Sequence, residues 1–192
     1  MTRLLLVCTG NVCRSAAGER LLTDALAHEP DLQVSSAGTR ALVDQPMDPP
    51  MADLVRAAGA RPDGFRARLL TADLLRRADL VLVMAREHRS TVVAVEPTAV
   101  RRTFLLLELA EVAERVAAAG WPPELGGAAA RLGALPTLAP PYRAELQRSG
   151  ADFDVPDPYR RSPRVYAEAM SRVVGAVRSL AASVGSAGSP AG

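Results

Sequence analysis

The sequence predicts an α/β protein built on a doubly wound parallel sheet. Apolar runs of strand length alternate with segments of helical periodicity along most of the chain. The runs Leu4–Val7 and Leu80–Met84 are apolar throughout rather than at every second residue, as in strands buried on both faces. The first run delivers a short loop, Cys8 to Arg14, to the mouth of a helix, the place where doubly wound sheets bind ligands.

Taken in order, Arg3–Val7 is the first strand. Arg14–His28 is a helix with Ala17, Leu21, Leu22, Ala25 and Leu26 on one stripe. Leu32–Ser36 is a second strand, closed by the turn Ala37-Gly38-Thr39. Pro50–Ala58 is a helix stopped by Gly59, and Thr71–Arg76 is a short helix with Thr71 as N-cap. Leu80–Met84 is the third strand, Glu87–Val95 a helix that ends before Pro97, and Thr103–Leu107 the fourth strand. Leu109–Ala119 is helical. Ser162–Val184 is a long final helix with Val165, Ala169, Val173, Val177 and Leu180 on its apolar stripe. Right-handed crossovers make such a series one sheet. Residues 1–184 are therefore expected to form one domain, with residues 185–192 a small, polar, disordered tail.

The loop carries the chemistry. Cys8 is followed by five residues, then Arg14 and Ser15. So short a connection must curl, and Gly10 is expected to supply positive φ. Asn11 also tolerates left-handed backbone and can bond across the loop. Backbone N–H groups of Thr9, Gly10, Asn11, Val12 and Cys13 then point inward as an anion-binding nest. The helix starting at Arg14 adds its unpaired N–H groups and its dipole. Arg14 adds a planar fork matched to two phosphate oxygens. Cysteines at helix N-termini and beside cations ionise more readily than free thiols. Ser15 can donate a hydrogen bond to the sulfur of Cys8.

VCTGNVCRS, residues 7–15, resembles the active-site loop of the low-molecular-weight protein tyrosine phosphatase family. Thioredoxin-coupled arsenate reductases and bacterial protein-arginine phosphatases share that fold and loop. Ser35-Ser36-Ala37-Gly38-Thr39 and the strand Ala78–Met84 resemble further family segments, so the likeness covers residues 3–107 and 155–184. One departure is Ala16, where the family carries proline. The resemblance implies a three-layer fold with strand order 2-1-3-4 and helices on both faces. It also implies a general acid in an Asp-Pro-aromatic motif, matched by Asp157-Pro158-Tyr159. Pro158 biases Asp157 away from helix. Tyr159 is placed to line the substrate slot. Asp152 and Asp154 rank below Asp157 as the acid.

The expected reaction is hydrolysis of protein phosphotyrosine, or another aryl phosphate monoester, through a cysteinyl phosphate. Cys8 is the nucleophile, Arg14 the oxyanion clamp and Asp157 the proton donor, its carboxyl kept protonated by its surroundings. No metal or cofactor is called for, since Arg14 and the nest supply positive charge. Two alternatives stand beside it: a thiol-cofactor-coupled arsenate reductase and a non-catalytic phosphate sensor. The thioredoxin-coupled route is disfavoured, because it needs a cysteine relay outside the loop and both cysteines lie inside it. Val12, a branched apolar residue where arginine phosphatases carry Thr, favours a phenol over a guanidinium. The family's aromatic wall after the Ser-Ala-Gly-Thr turn is missing; the segment reads Arg40, Ala41, Leu42, Val43. Cys13 is read either as a small buried hydrophobe or, as the resemblance implies, as a reversible disulfide partner for Cys8.

Composition sets the remaining bounds. The chain has 192 residues, 48% of them hydrophobic, and a net charge of +2. It contains no Lys, and its arginines form no long basic run, which argues against a nucleic-acid partner. No apolar stretch approaches the roughly 18–20 residues of a membrane span. Both cysteines in one loop fit a reducing cytoplasm. His28 and His88 are expected on solvated helix surfaces. Residues 120–150, rich in Pro, Gly and Ala, are longer than the family's connection, with short helices expected at Glu124–Leu132 and Tyr142–Arg148. That segment is either a surface excursion covering the sheet edge or a lid or partner site near the acid loop, which it directly precedes.

Overall fold

In a computed structural model, residues 1–185 are described; the expectation of a disordered tail falls almost wholly outside them. Four parallel strands form one sheet in the order β2-β1-β3-β4. They are β1 (Thr2–Cys8), β2 (Leu32–Gly38), β3 (Leu80–Val83) and β4 (Thr103–Leu105). The helices are α1 (Arg14–Ala25), α2 (Pro49–Ala57), α3 (Ala72–Arg77) and α4 (Arg86–Val95). After a 3-10 turn at Pro97–Arg102 follow α5 (Leu106–Ala119), α6 (Ala128–Leu138), α7 (Pro140–Ser149) and α8 (Pro163–Gly185). Helices lie on both faces of the sheet, the three-layer α/β arrangement expected. The central strands β1 and β3 pair from Leu4 opposite Leu80 to Val7 opposite Val83, and their side chains are completely or almost completely buried. That burial is why their sequence shows no alternation. The long helix α8 packs against both α1 and α5.

Two boundaries differ from the sequence reading for side-chain reasons. The first helix stops at Ala25 rather than His28. Glu29 turns away to accept hydrogen bonds from the N–H groups of Ala128 and Ala129 at the start of α6. The fourth strand ends at Leu105 and α5 begins at once, where strand was expected to Leu107. Buried Glu108 reaches back to accept from Leu105 N at 3.2 Å, which caps the helix two residues before the expected strand would end. Helix periodicity alone does not reveal such a reach.

Residues 120–150 hold two helices, α6 and α7: α6 begins at Ala128 rather than Glu124 and runs on to Leu138, and α7 extends past both ends of the expected Tyr142–Arg148. Leu132 and Leu135 of α6 are fully buried. Thr2 Oγ1 donates to Ala129 O at 2.8 Å, fastening α6 to the start of β1, the end of the strand remote from Cys8. Arg143 of α7 donates to Thr103 O at 3.1 Å, covering the exposed edge of β4. None of residues 120–150 lines the cavity above Cys8. The geometry matches the edge-covering reading and places no lid over the loop.

Candidate active site

Cys8 ends β1, and the chain curls through residues 9–13 before α1 begins at Arg14. The loop's carbonyls are taken by neighbours on its outer side. Cys8 O, Thr9 O and Gly10 O accept from the N–H groups of Thr39, Arg40 and Leu42. Val12 O accepts from Asp48 N, and Cys13 O from Ala17 N. The N–H groups of residues 9–13 donate to no acceptor among the described residues. With the carbonyls fastened outward, the donors are left for the concave side, which is the nest expected. No side chain caps α1, so its N-terminal N–H groups are left to the same anion site.

The left-handed residue is Asn11, with φ 55°, and not Gly10, whose φ lies outside the positive range. A Cβ on Gly10 would meet only ordinary contacts, Val12 at 3.6 Å and Leu42 at 3.9 Å. The close approach belongs instead to Gly38 at the end of β2. A Cβ there would lie 2.5 Å from Thr9 O and 3.0 Å from Asn11 Cβ. Asn11 pays for its backbone conformation with a full set of bonds. Its Nδ2 donates to Ser15 Oγ at 3.0 Å and Ser36 Oγ at 2.8 Å, and its Oδ1 accepts from Arg68 N at 2.9 Å. Ser36 in turn donates to Glu19 Oε2 at 2.6 Å. Because Ser15 Oγ accepts from Asn11, its hydrogen is left to donate to Cys8 Sγ, 2.9 Å away. A chain of hydrogen bonds thus runs from Glu19 through Ser36, Asn11 and Ser15 to the sulfur.

Arg14 is 2% exposed and held from three directions. Nη1 donates to Val155 O at 3.2 Å, and Nη2 donates to Thr9 Oγ1 at 3.4 Å. Nη2 also meets Asp157 Oδ2 at 2.7 Å. Its Nε is buried with no hydrogen-bond partner among the described residues, a donor available to an oxyanion. Cys8, Arg14, Asp157 and Tyr159 line one cavity of about 220 Å³, together with Thr9, Gly10, Val12, Cys13, Arg40 and Leu42. Ser15 and Asn11 lie beneath it, fully buried.

Asp157 reaches the cavity from the far end of the sequence. Val155 N donates to Met84 O at 2.8 Å, which pins the acid loop beside β3. Asp157 Oδ1 accepts from Tyr159 N at 3.2 Å, within the turn that Pro158 stiffens. The carboxyl is half-exposed and sits against Arg14. Asp154 is committed elsewhere, accepting from Arg86 N, and Asp152 faces Arg86 and Arg172. Neither lines the cavity. On its wall, Leu42 and Tyr159 line the same slot.

Cys13 is a buried thiol whose ionisation is opposed first by burial and then by Asp48 and Cys8. Both cysteines are free. Among the two readings of Cys13, this environment matches the small buried hydrophobe.

The surface assignment of His88 is wrong. His28 is exposed, but His88 is 2% exposed, on the side of α4 that faces the loop. Its Nε2 lies 2.9 Å from Thr9 Oγ1, the same oxygen that accepts from Arg14. Burial, then Arg14, lowers its pKa to about 4, with Asp157 opposing and Arg40 reinforcing the shift. Tyr166 was also missed. Its hydroxyl donates to Asp48 Oδ2 at 2.7 Å and accepts from Arg160 N, tying α8 to the acid loop and to the loop neighbour Asp48. In both cases the partner lies far away in sequence, and only the rule that a buried polar group needs a partner marks these residues.

A buried neutral histidine makes stability pH-dependent. Between about pH 6.5 and pH 4 the unfolded chain binds a proton that the folded His88 does not. Its contribution is therefore fully retained above about pH 6.5 and is lost as pH falls toward 4. Melting temperatures measured across that window should fall with pH in the native chain, and less steeply in His88→Gln. Parallel curves would contradict a buried, neutral His88.

Residues 3–119 match the family model described as low molecular weight phosphotyrosine protein phosphatase. The low molecular weight protein-tyrosine-phosphatase Etp of Escherichia coli K12 is 43% identical over 102 residues, 53% of this chain and 67% of that protein. Among solved structures, Vibrio vulnificus Wzb in complex with benzylphosphonate aligns with a TM-score of 0.67 and 25% identity, over 94% of this chain and 97% of that one. The arginine phosphatase YwlE from Geobacillus stearothermophilus aligns with a TM-score of 0.68 at 24% identity, over 94% and 91% of the two chains, which shows a shared fold.

Proposed function

The chain belongs to the low molecular weight phosphotyrosine protein phosphatase family, and on that premise we propose that it removes phosphate from protein phosphotyrosine through Cys8, Arg14 and Asp157. The observation that carries the residue roles is their convergence. A sulfur, a buried guanidinium with an unused Nε and a carboxyl from the far end of the chain share one cavity of about 220 Å³. Residues 1–184 act as one phosphatase unit in this reading.

The phosphoryl group enters the nest and its oxygens take the N–H groups of residues 9–13 and the Arg14 fork. Its negative charge replaces Asp157 as the partner of Arg14; the released carboxylate, now beside a bound anion, takes up a proton from solvent and faces the leaving oxygen. Cys8 thiolate attacks phosphorus, the bond from phosphorus to the tyrosyl oxygen breaks, and Asp157 passes its proton to that oxygen. The resulting carboxylate then takes a proton from water as the water attacks phosphorus. The sulfur–phosphorus bond breaks, and Cys8 thiolate and inorganic phosphate are released. Ser15 holds a hydrogen bond to the sulfur in both steps, stabilising it as nucleophile and as leaving group. His88 is a positioning residue: through Thr9 it fixes the hydroxyl against which Arg14 is braced.

The substrate follows from the walls. Val12, Leu42 and Tyr159 give the slot apolar and aromatic sides suited to a phenyl ring, and no carboxylate besides Asp157 lines it to meet a guanidinium. A phosphotyrosine peptide should be cleaved with higher kcat/KM than the same peptide carrying phosphoarginine. The reverse order would overturn the assignment of the slot. Turnover itself separates this function from a phosphate sensor, which would bind the peptide without releasing phosphate.

A further inference from the structure

A second cavity, of about 680 Å³, opens between α4, the 3-10 turn, β4 and the helices α6 and α7. It shares no lining residue with the cavity above Cys8. Its size lies in the range of small-molecule sites. Arg89, Arg101 and Arg143 line it, and no Asp or Glu does. Arg143 is already balanced. Its Nε donates to Glu108 Oε1 at 2.8 Å, and its guanidinium stacks 4.3 Å from the centre of the Phe104 ring. Arg89 and Arg101 form no ion pair among the described residues, and Glu108 acts on Arg89 only from outside the lining, so the cavity carries an excess of positive charge. Arg89 is half-buried, and burial followed by the nearness of Arg143 disfavours its charge, which a bound anion would relieve. The side chains of Thr137 and Gln147 add neutral hydrogen-bonding groups. Valine, alanine and proline side chains complete a largely apolar lining.

We propose that this cavity is a binding site for a small organic phosphate, with a dianionic head held by Arg89 and Arg101 and an apolar body against the remaining walls. Two guanidinium forks match a tetrahedral dianion in charge and in oxygen count. The volume exceeds what a bare phosphate fills, which calls for the organic body. The walls depend in part on α6 and α7, which lie beyond the residues matched by the family model.

Phenylphosphonate, an aromatic dianion that cannot be hydrolysed as an ester, is the probe. Titrated into the full chain and followed by amide NMR, it should move two sets of signals that saturate independently. Gly10 and Asn11 report the loop; Thr137 and Gln147 report the second cavity. In the double variant Arg89→Ala/Arg101→Ala, the cavity set should saturate at least roughly tenfold later, as loss of charge-assisted bonds implies, while the loop set is unchanged. Neither arginine side chain has a hydrogen-bond or ion-pair partner to lose among the described residues, so a melting temperature close to native is expected for the variant. Should the variant fail to fold, the two independent saturations in the native chain decide. The proposal is overturned if only the loop signals move, or if the cavity signals respond equally with and without the two arginines. Because the loop signals are read separately, failure at this cavity is distinguishable from failure of the phosphatase reading.

Discussion

Cys8→Ser removes turnover of an aryl phosphate while leaving phosphate binding close to native. A loss of roughly 10⁴-fold or more in kcat is expected, the scale seen when the nucleophile of a covalent mechanism is deleted. The binding expectation follows from geometry. The N–H groups of residues 9–13, the start of α1 and the unused Nε of Arg14 hold the anion, and none is supplied by the sulfur. Serine keeps a hydroxyl in reach of Ser15, so the network running back to Asn11, Ser36 and Glu19 is not broken. Steady-state kinetics with an aryl phosphate, paired with calorimetric titration of inorganic phosphate, reads both halves. Turnover retained in this variant would remove Cys8 from the mechanism.

Asp157→Asn separates the two chemical steps. An amide has no acidic proton to give, so kcat on phosphotyrosine should fall by about 10²–10⁴-fold, the contribution of a positioned acid or base. The loss in the first step should shrink when the leaving group is an acidic phenol that departs without help. Hydrolysis of the cysteinyl phosphate still needs a base, so with such a substrate the intermediate should build up. The variant also loses the 2.7 Å ion pair with Arg14, an interaction that competes with substrate for the same guanidinium. KM should therefore hold or fall while kcat drops. A rise in KM with unchanged kcat would mean that Asp157 binds substrate and takes no part in proton transfer.

Much of this site is legible in the linear sequence because it is local. Cys8 through Ser15 are contiguous, and a strand, a tight loop and a helix N-terminus allow few ways to arrange them. The four parallel strands are legible for a similar reason, since burial on both faces leaves an unbroken apolar signature. What remains hidden depends on long-range partners. His88 meets Thr9 across 79 positions, and Tyr166 meets Asp48 across 118. A histidine in an amphipathic helix looks the same whether it faces water or a buried hydroxyl. The role given to Gly10 failed differently. Glycine permits positive φ without requiring it, and here Asn11 takes that conformation because its amide is fully bonded. The glycine that the loop does need is Gly38, on another strand, where the backbone of Thr9 comes too close for a side chain. The long β4 expectation failed because Glu108 reaches back to start α5, and Glu108 is itself held by Arg143 of α7.

The central claim is that phosphate passes through a covalent bond to Cys8, and one measurement meets it directly. Asp157→Asn is mixed with an acidic aryl phosphate, quenched within a few turnovers, digested, and read by mass spectrometry. The account predicts one phosphoryl group on the peptide that carries Cys8, and none on that peptide in Cys8→Ala. Release of the phenol in step with free phosphate, with no phosphorylated Cys8 at any time point, would contradict it.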